Sequence, residues 1–217
     1  MEDGRFTCSY LKLETETNNT IDEDGWLHSG DQAKIDEDGF VTVTGRLKEL
    51  IVTAGGENVS PVPIENKIIE LCPLISNCVV VGDKKKFLSA LITLKTEVDP
   101  STGEPSNMLV KSMVERLKAM GSTVTTVKEA MECPVVKKWI QEAVDGYNKV
   151  AISRAQEIRK WTLLERDLSL GHGELTATLK MKRNIVQQHY EKDIESMYKE
   201  CSVCSTNIAD KCNYRDE

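Results

Sequence analysis

Several patterns that identify common binding and catalytic sites are absent from this sequence of 217 residues. It contains no Gly-x-x-x-x-Gly-Lys-Ser/Thr and no Gly-x-Gly-x-x-Gly, so no glycine-rich loop is present that could wrap the phosphates of a nucleotide. His-Glu-x-x-His and Gly-x-Ser-x-Gly are also absent, which removes the hydrolase mechanisms that those motifs support. We therefore expect that a nucleotide is not held fully by this chain.

Excess basic charge and long apolar runs are also lacking. The 28 Lys and Arg residues are outnumbered by 35 Asp and Glu residues, and the net charge of -7 argues against a nucleic-acid partner. No apolar run approaches the roughly 20 residues of a membrane-spanning helix, so no transmembrane segment is predicted. The chain is expected in the cytoplasm, with peripheral contact to a membrane such as the endoplasmic reticulum as the alternative.

The seven cysteines are odd in number and scattered, which predicts reduced thiols rather than a disulfide framework. Cys201-x-x-Cys204 and Cys212 are the only hint of a metal site. They lack a fourth ligand at zinc-like spacing, and His189 lies too far upstream to complete a familiar pattern. We therefore assign no metal site and expect 201–217 to be a disordered tail.

The segment 21–44 is predicted to form a β-hairpin. It contains Ile-Asp-Glu-Asp-Gly twice, at 21–25 and 35–39, and acidic residues followed by Gly favour tight turns. The second copy precedes Phe40–Thr44, whose β-branched residues are typical of a strand. Calcium binding is the alternative, although neither copy continues into the ligand spacing and closing Glu of an EF-hand loop.

Apolar spacing predicts further strands and helices, and their order indicates an α+β domain at 48–200 that follows a separate hairpin. Pro and Gly positions mark the ends of several of these elements. The predicted strands are Leu50–Thr53, Cys78–Val81, Phe87–Leu94 and Trp161–Leu164, and the predicted helices are Pro63–Leu71, Met108–Met120, Val135–Val150 and Arg183–Tyr198.

Charged groups on glycine-flanked turns are the candidates for chemistry. Asp31 follows Gly and could accept hydrogen bonds from two neighbouring hydroxyls, as in a ribose, while the planar cation of Arg46 suits a sugar or a phosphate. Gly55 and Gly56 permit positive φ and close approach of the backbone. The stretch 173–183 ends in three cations. Each feature alone could equally be a turn cap, a surface ion pair, a β-turn or a solvated helix start.

In order, Gly25–Asp31, Gly45–Ile51, Gly55–Pro61 and Glu174–Arg183 resemble the last core motifs of the adenylate-forming (AMP-binding) superfamily. That superfamily includes acyl-CoA synthetases, luciferases and peptide-synthetase adenylation domains. Three segments are most similar to those of the bubblegum-type long-chain fatty-acid–CoA ligases: Gly-Gly-Glu-Asn-Val, Lys-Phe-Leu-Ser-Ala-Leu-Ile-Thr-Leu and Leu-Glu-Arg-Asp-x-Ser. The resemblance covers residues 4–198.

The resemblance implies a fold and a reaction. Residues 48–200 would be a small C-terminal lid domain with a short mixed sheet and flanking helices, and 1–47 a β-rich remnant of the large AMP-binding domain. In the intact enzyme a long-chain fatty acid attacks the α-phosphate of ATP, with Mg, to give acyl-AMP. The thiol of CoA then displaces AMP. None of these ligands is expected to bind tightly to this chain alone.

The family's roles are carried over residue by residue. The resemblance implies that Lys180 is the catalytic cation between the carboxylate and the phosphate, where a fixed positive charge lowers the barrier most. Arg183 matches the Arg three residues further on and would support it. Asp31 would hold the ribose hydroxyls of the nucleotide, and Arg46 would assist it.

Two further segments would serve the domain movement. Lys48 matches the hinge about which the lid turns between the two half-reactions. The loop Gly55, Gly56 and Glu57 would face the active site during thioester formation. Leu179 stands where the wider superfamily usually has Gly before the catalytic Lys, although long-chain members also lack that Gly.

Two other positions also depart from the pattern: Ala177 stands where long-chain members tend to have Pro, and Ser9 replaces a Gly. The phosphate-binding Ser/Thr/Gly loop, the Mg-binding Glu and the acyl tunnel belong to upstream sequence not found here. Independent catalysis is therefore not expected. The alternatives are a catalytically inactive truncated isoform or interaction module that binds a partner protein, and a gene model that lacks upstream sequence.

Overall fold

The computed structural model describes residues 10–199. Helices and strands are mixed along this range, which confirms the α+β prediction. The helices are α1 (Glu14–Thr20), α2 (Pro61–Leu71), α3 (Lys111–Ala119), α4 (Val127–Glu132), α5 (Pro134–Asn148), α6 (Arg183–His189) and α7 (Glu191–Tyr198). The strands are β1 (Asp31–Ile35), β2 (Val41–Arg46), β3 (Ile51–Val52), β4 (Asn58–Val59), β5 (Ile75–Val81), β6 (Leu88–Leu94), β7 (Thr96–Val98), β8 (Pro105–Leu109) and β9 (Ile158–Leu163).

A three-stranded mixed sheet in the order β5–β6–β9 forms the centre of the fold. β5 and β6 are antiparallel neighbours, and β9 joins β6 in parallel after a long crossover through α3, α4 and α5. Every residue of β6 is buried. Because successive side chains point to opposite faces of a sheet, burial of the whole strand requires cover on both faces.

Helices supply that cover. One face packs against α2 and α5, which contribute Ile68 and Ile140, and the other packs against α6 and α7, which contribute Val186 and Met197. Side chains from β5 and β6 divide between the two faces: Val80, Ala90 and Ile92 belong to the first cluster, and Val79, Val81 and Leu91 to the second.

Helix starts follow the chemistry of their first residues. α2 and α5 each begin with a proline, whose missing N–H is not needed in the first turn. α4, which was not predicted, is stabilised by a capping box in which Thr126 Oγ1 accepts from Glu129 N–H and Glu129 accepts from Thr126 N–H. The Thr-x-x-Glu spacing that signals it was available in the sequence.

Two predicted helices are wrong in part. The helix expected at Met108–Met120 begins only at Lys111, because Met108 and Leu109 belong to β8, which pairs with β7. The helix expected at Arg183–Tyr198 is divided at Tyr190, whose φ of -107° and ψ of 25° interrupt the helical path between α6 and α7.

The predicted hairpin is confirmed as β1 and β2, which run from Asp31 to Arg46 rather than over 21–44. Both acidic repeats form the same turn: Asp36 Oδ1 accepts from the N–H of Phe40 at 2.8 Å, and Asp22 Oδ1 accepts from that of Trp26 at 2.8 Å. The duplicated pentapeptide is therefore duplicated turn chemistry. The first copy closes a separate turn beside the Ile21 to Leu27 bridge.

A close approach joins the hairpin to the rest of the chain. Ser60 Oγ, at the start of α2, donates to Thr44 C=O at 2.8 Å. It lies so near Gly45 that a Cβ there would collide with it. Glycine at 45 therefore lets β2 lie against the central domain, and a short 3-10 turn, Leu47–Glu49, continues into β3.

Candidate functional site

Asp31 and Arg46 face each other at the open end of the hairpin. They are register partners in β1 and β2, and Arg46 Nε lies 3.5 Å from Asp31 Oδ1. Ser29 Oγ accepts from Asp31 N–H at 3.2 Å, which fixes the backbone just before the strand. The pair is half exposed, so both groups stay accessible to a polar ligand. A carboxylate beside a guanidinium can accept from hydroxyls and attract an anion at one place.

Lys48 lies immediately beyond this pair, on the 3-10 turn that connects the hairpin to β3. Leu47 N–H donates to Gly30 C=O at 2.8 Å and holds the turn against the end of β1. A cleft of about 690 Å³ opens here between the hairpin and the start of α6. Its lining residues are Ser29, Gly30, Arg46, Lys48, Glu49, Met181, Lys182, Arg183, Asn184 and Ile185.

The glycine loop forms the tight connection between β3 and β4. Gly56 has a φ of +80°, and its N–H donates to Thr53 C=O at 2.9 Å. The Glu57 carboxylate accepts from Ser153 Oγ and lies 3.5 Å from Gln156 Nε2. This side chain therefore ties the glycine loop to the segment that leads into β9.

Lys180 lies on an exposed loop between the central sheet and α6. Leu175 and Met181 form an antiparallel bridge at the base of the loop, and Lys180 N–H donates to Thr176 Oγ1 at 3.0 Å across it. Leu179 has a φ of +58° and is 69% exposed. The loop therefore has a left-handed backbone at a non-glycine residue, at the position where the resemblance to the wider superfamily led us to expect Gly.

Arg183 is largely buried, with 12% of its side chain exposed, in contrast to the exposed Lys180. Its guanidinium donates to Glu65 at 2.6 and 2.9 Å, and Glu65 Oε1 also accepts from Val80 N–H at 2.7 Å. Burial would lower the pKa of Arg183, but the hydrogen bonds and charge of Glu65 raise it above its usual value. Arg183 thus locks the start of α6 to α2 and β5.

Sequence reasoning missed two buried carboxylates. Glu65 lies between Ile64 and Ile68 on the buried side of α2, and an acid on an apolar face was a usable signal for a buried cation. Glu174 is fully buried beneath the Lys180 loop and is paired with Arg166 and His189. Nothing in the local spacing pointed to these partners.

The predicted site residues fall into three groups. Arg46, Lys48 and Arg183 line the cleft, and Asp31 lies beside it, paired with Arg46. Lys180 and the glycine loop are outside the lining of that cleft. The motifs therefore do not form a single enclosed pocket in this arrangement of the chain.

Across residues 10–199, no group of three or more His, Cys, Asp or Glu side chains is placed to hold a metal ion. No helix in that range combines the length and hydrophobicity needed to cross a membrane. The predicted disordered tail, with Cys201-x-x-Cys204, and the departure at Ser9 lie outside the described residues.

Solved structures of adenylation domains share this fold. The adenylation domain of the carboxylate reductase from Mycobacterium chelonae superposes with a TM-score of 0.64 at 20% identity, over 88% of this chain and 26% of that one. The adenylation domain of carboxylic acid reductase from Segniliparus rugosus was solved with AMP and a co-purified carboxylic acid. It superposes with a TM-score of 0.63 at 16% identity, over 88% of this chain and 26% of that one. At these identities the likeness defines the fold class: this chain has the fold of part of an adenylation domain.

The sequence profile described as AMP-binding enzyme C-terminal domain matches residues 48–162, and this chain belongs to that family. It is 49% identical over 199 residues to the long-chain-fatty-acid–CoA ligase ACSBG2 of Gallus gallus, covering 91% of this chain and 26% of that protein. It is 47% identical over 193 residues to the long-chain-fatty-acid–CoA ligase ACSBG1 of Homo sapiens, covering 88% of this chain and 27% of that protein. The chain spans about a quarter of the length of these relatives.

Proposed function

We propose that this chain is the C-terminal portion of a long-chain-fatty-acid–CoA ligase that forms acyl-AMP from a fatty acid and ATP and then acyl-CoA. The observation that carries the proposal is its near 50% identity to curated ligases of that activity over nine-tenths of its length. The match spans 199 of the 217 residues of the chain.

Lys180 is assigned to the adenylation step. Two anions, the fatty carboxylate and the α-phosphate, must approach each other, and an ammonium group fixed between them offsets their repulsion. The exposed tip of a short loop suits this task, because the group must enter a site completed by other parts of the enzyme. Arg183 supports Lys180 indirectly by fixing the helix that follows the loop.

Asp31 and Arg46 are assigned to the nucleotide. The half-exposed carboxylate can accept from ribose hydroxyls while the neighbouring guanidinium attracts phosphate, so the pair fits the ligand chemically. Mg would accompany the triphosphate, and no described residue of this chain is assigned to it. With these two side chains alone, tight binding of ATP or CoA is not expected.

Lys48 and the glycine loop are assigned to the change between half-reactions. Lys48 lies on the single turn that joins the hairpin to the domain, where a rotation of backbone torsions would reorient everything after it. Gly55, Gly56 and Glu57 lie on the other side of this turn, in a loop able to approach CoA when the domain rotates.

A second candidate function, an interaction module, is favoured by the surface of the hairpin. Ile35, Val41 and Val43 lie on one face of β1 and β2 and are each more than 60% exposed. Exposed apolar strand faces are typical of surfaces that another protein segment covers. In this view the chain binds a partner without performing catalysis.

Fatty-acid-dependent exchange between ATP and pyrophosphate tests the ligase proposal. The chain would be assayed alone and mixed with the separately produced part of the Gallus gallus ligase that precedes the matched region. We expect no exchange alone and restored exchange in the mixture. Lys180→Ala should then lower exchange by roughly 100-fold or more, because it removes the charge at the reacting groups.

Lys192→Ala is the matched control, since it removes an exposed lysine on α7 that lies outside both the cleft and the Lys180 loop. We expect it to change exchange less than about threefold. Lys180→Ala should also spare thioester formation from supplied acyl-AMP, and equal loss in both steps would refute the assigned role. A mixture that binds but stays inactive would favour the interaction module.

A further inference from the structure

The loop that carries Lys180 is anchored to the rest of the fold at its base. Lys182 N–H donates to Glu174 C=O at 2.7 Å, directly below the bridge between Leu175 and Met181. Leu175 and Met181 also pack against the second apolar cluster. The residues from Ala177 to Lys180 are exposed. The base of the loop, where Glu174 and Lys182 meet, therefore determines the position of Lys180.

The side chain of Glu174 is fully buried and has partners on both carboxylate oxygens. Arg166 donates to it twice, from Nη2 to Oε1 at 2.6 Å and from Nη1 to Oε2 at 2.8 Å. Ser169 N–H donates to Oε2 at 3.2 Å, and His189 Nδ1 lies 3.0 Å from Oε1. A buried carboxylate with this many donors is held in one orientation.

The charge of Glu174 is maintained by these partners. Burial alone would raise the pKa of Glu174, but hydrogen bonds from Arg166, His189 and Ser169 N–H bring it below its usual value. Removal of the negative charge would leave the Arg166 guanidinium facing a group that can no longer accept from both of its arms.

The partners of Glu174 come from separate elements of the fold. Arg166 follows β9 of the central sheet, and His189 is the last residue of α6. The Arg166 guanidinium also lies 5.8 Å from the ring centroid of Tyr190, between α6 and α7. One carboxylate thus links the base of the loop to the sheet and to the closing helices.

We propose that Glu174 is a positioning residue for Lys180: held by Arg166 and His189, it fixes the base of the 174–182 loop and so determines where the Lys180 ammonium meets the substrate. The inference rests on the function proposed above for Lys180. Glu174 acts from beneath the loop and has no contact with substrate in this role.

Amide hydrogen exchange on the full chain tests whether Glu174 fixes the base of the 174–182 loop. In Glu174→Gln, we expect the N–H groups of Leu175 and Lys182 to exchange at least about tenfold faster, while those of β5 and β6 keep their rates. Glu165→Gln, an exposed neighbour outside the cluster, should change neither. Unchanged exchange in the loop, or equal acceleration of loop and sheet, would overturn the proposal.

His189→Gln provides a second variant should Glu174→Gln fail to fold. The His189 side chain is 41% exposed, so its replacement removes one partner of Glu174 with little loss of burial. We expect loop exchange to accelerate by about threefold, again without a change in β5 and β6. No selective acceleration in this variant would contradict the role of the cluster.

A double-mutant cycle in the reconstituted exchange assay tests the catalytic half. Glu174→Gln should lower kcat by about tenfold with little change in KM for ATP, and should cause no further loss in a Lys180→Ala background. Losses that multiply would mean that Glu174 acts independently of Lys180. If Lys180→Ala alone had no effect, the proposed function would fail, whereas the hydrogen-exchange result would stand on its own.

Discussion

Two antiparallel strand pairs, β1 with β2 and β5 with β6, both contain aliphatic residues but have opposite surroundings. Every residue of β6 is buried, whereas all five residues of β1 are exposed. Ala33 and Ile35 pair with Val43 and Val41, so the hairpin presents a continuous apolar face. The comparison teaches that the residue pattern specifies a strand, while burial depends on what the rest of the fold places over it.

The largest expected difference between the two regions lies in their ion pairs. Arg183→Leu should destabilise the chain by about 3–5 kcal/mol, because it leaves the buried Glu65 carboxylate without its counter-charge. Arg46→Leu in the hairpin should cost less than about 1 kcal/mol, since that pair is solvated. Urea unfolding of both variants gives the two free energies, and similar values would remove the contrast.

Truncation of apolar side chains should likewise cost more in the buried central sheet than in the exposed hairpin. Ile92→Ala in β6 removes a fully buried side chain and should lower the free energy of unfolding by about 3 kcal/mol. Val43→Ala in β2 truncates a side chain that is 63% exposed and should change it by about 0.5 kcal/mol or less. Thermal or urea unfolding measures both. A large loss for Val43→Ala would show that the hairpin face is covered in solution.

Acid should lower the free energy of unfolding through protonation of Glu174, by less than the substitutions above. The folded pKa of this carboxyl lies below its ordinary value of 4.5, so at pH near 4 the unfolded chain binds its proton more readily than the folded chain. The contribution of Glu174 to the free energy of unfolding is therefore fully present above the ordinary pKa of 4.5. It is lost as the pH falls through the folded pKa. Urea unfolding between pH 7 and 3, with Glu174→Gln as the non-titrating control, should give a steeper loss for the natural chain.

The smallest expected effect concerns turns. The hairpin turn has Gly39 at a φ of +85°, while the Lys180 loop has Leu179 at +58°. Leu179→Gly should relieve strain and stabilise the loop by about 1 kcal/mol, reduced in part by the greater freedom of Gly in the unfolded chain. The gain would appear as slower amide exchange of Lys182. Faster exchange would show that Leu179 makes contacts that outweigh the strain.

Elements with a strong local signal were predictable from the sequence. The apolar runs of β5 and β6 and the Pro-initiated helices α2 and α5 appear close to the predicted positions. The β7 and β8 hairpin was missed because Met108 and Leu109 fit the helical spacing of the following α3 equally well. There the pairing of two short strands, a tertiary effect, decides the outcome.

The site was predictable only as a set of motifs. Asp31, Arg46 and Lys180 could be selected by resemblance, because each lies in a short recognisable segment. The environments of Arg183 and Glu174 could not be predicted, since Glu65 lies far from Arg183 along the chain and His189 lies on α6, outside the loop that Glu174 begins. Pairings between distant segments follow from the folded arrangement and leave no local spacing to detect.

The parallel pairing of β9 with β6 also constrains the order in which the chain can fold. Leu94 ends β6 and Ile158 begins β9, so all of 95–157 must be traversed before the sheet is complete. The β5 and β6 hairpin can form early because its strands are neighbours, whereas β9 must pay the entropy of closing the long connection. Assembly of the Lys180 loop, whose base depends on Arg166 just after β9, is therefore expected among the last events of folding.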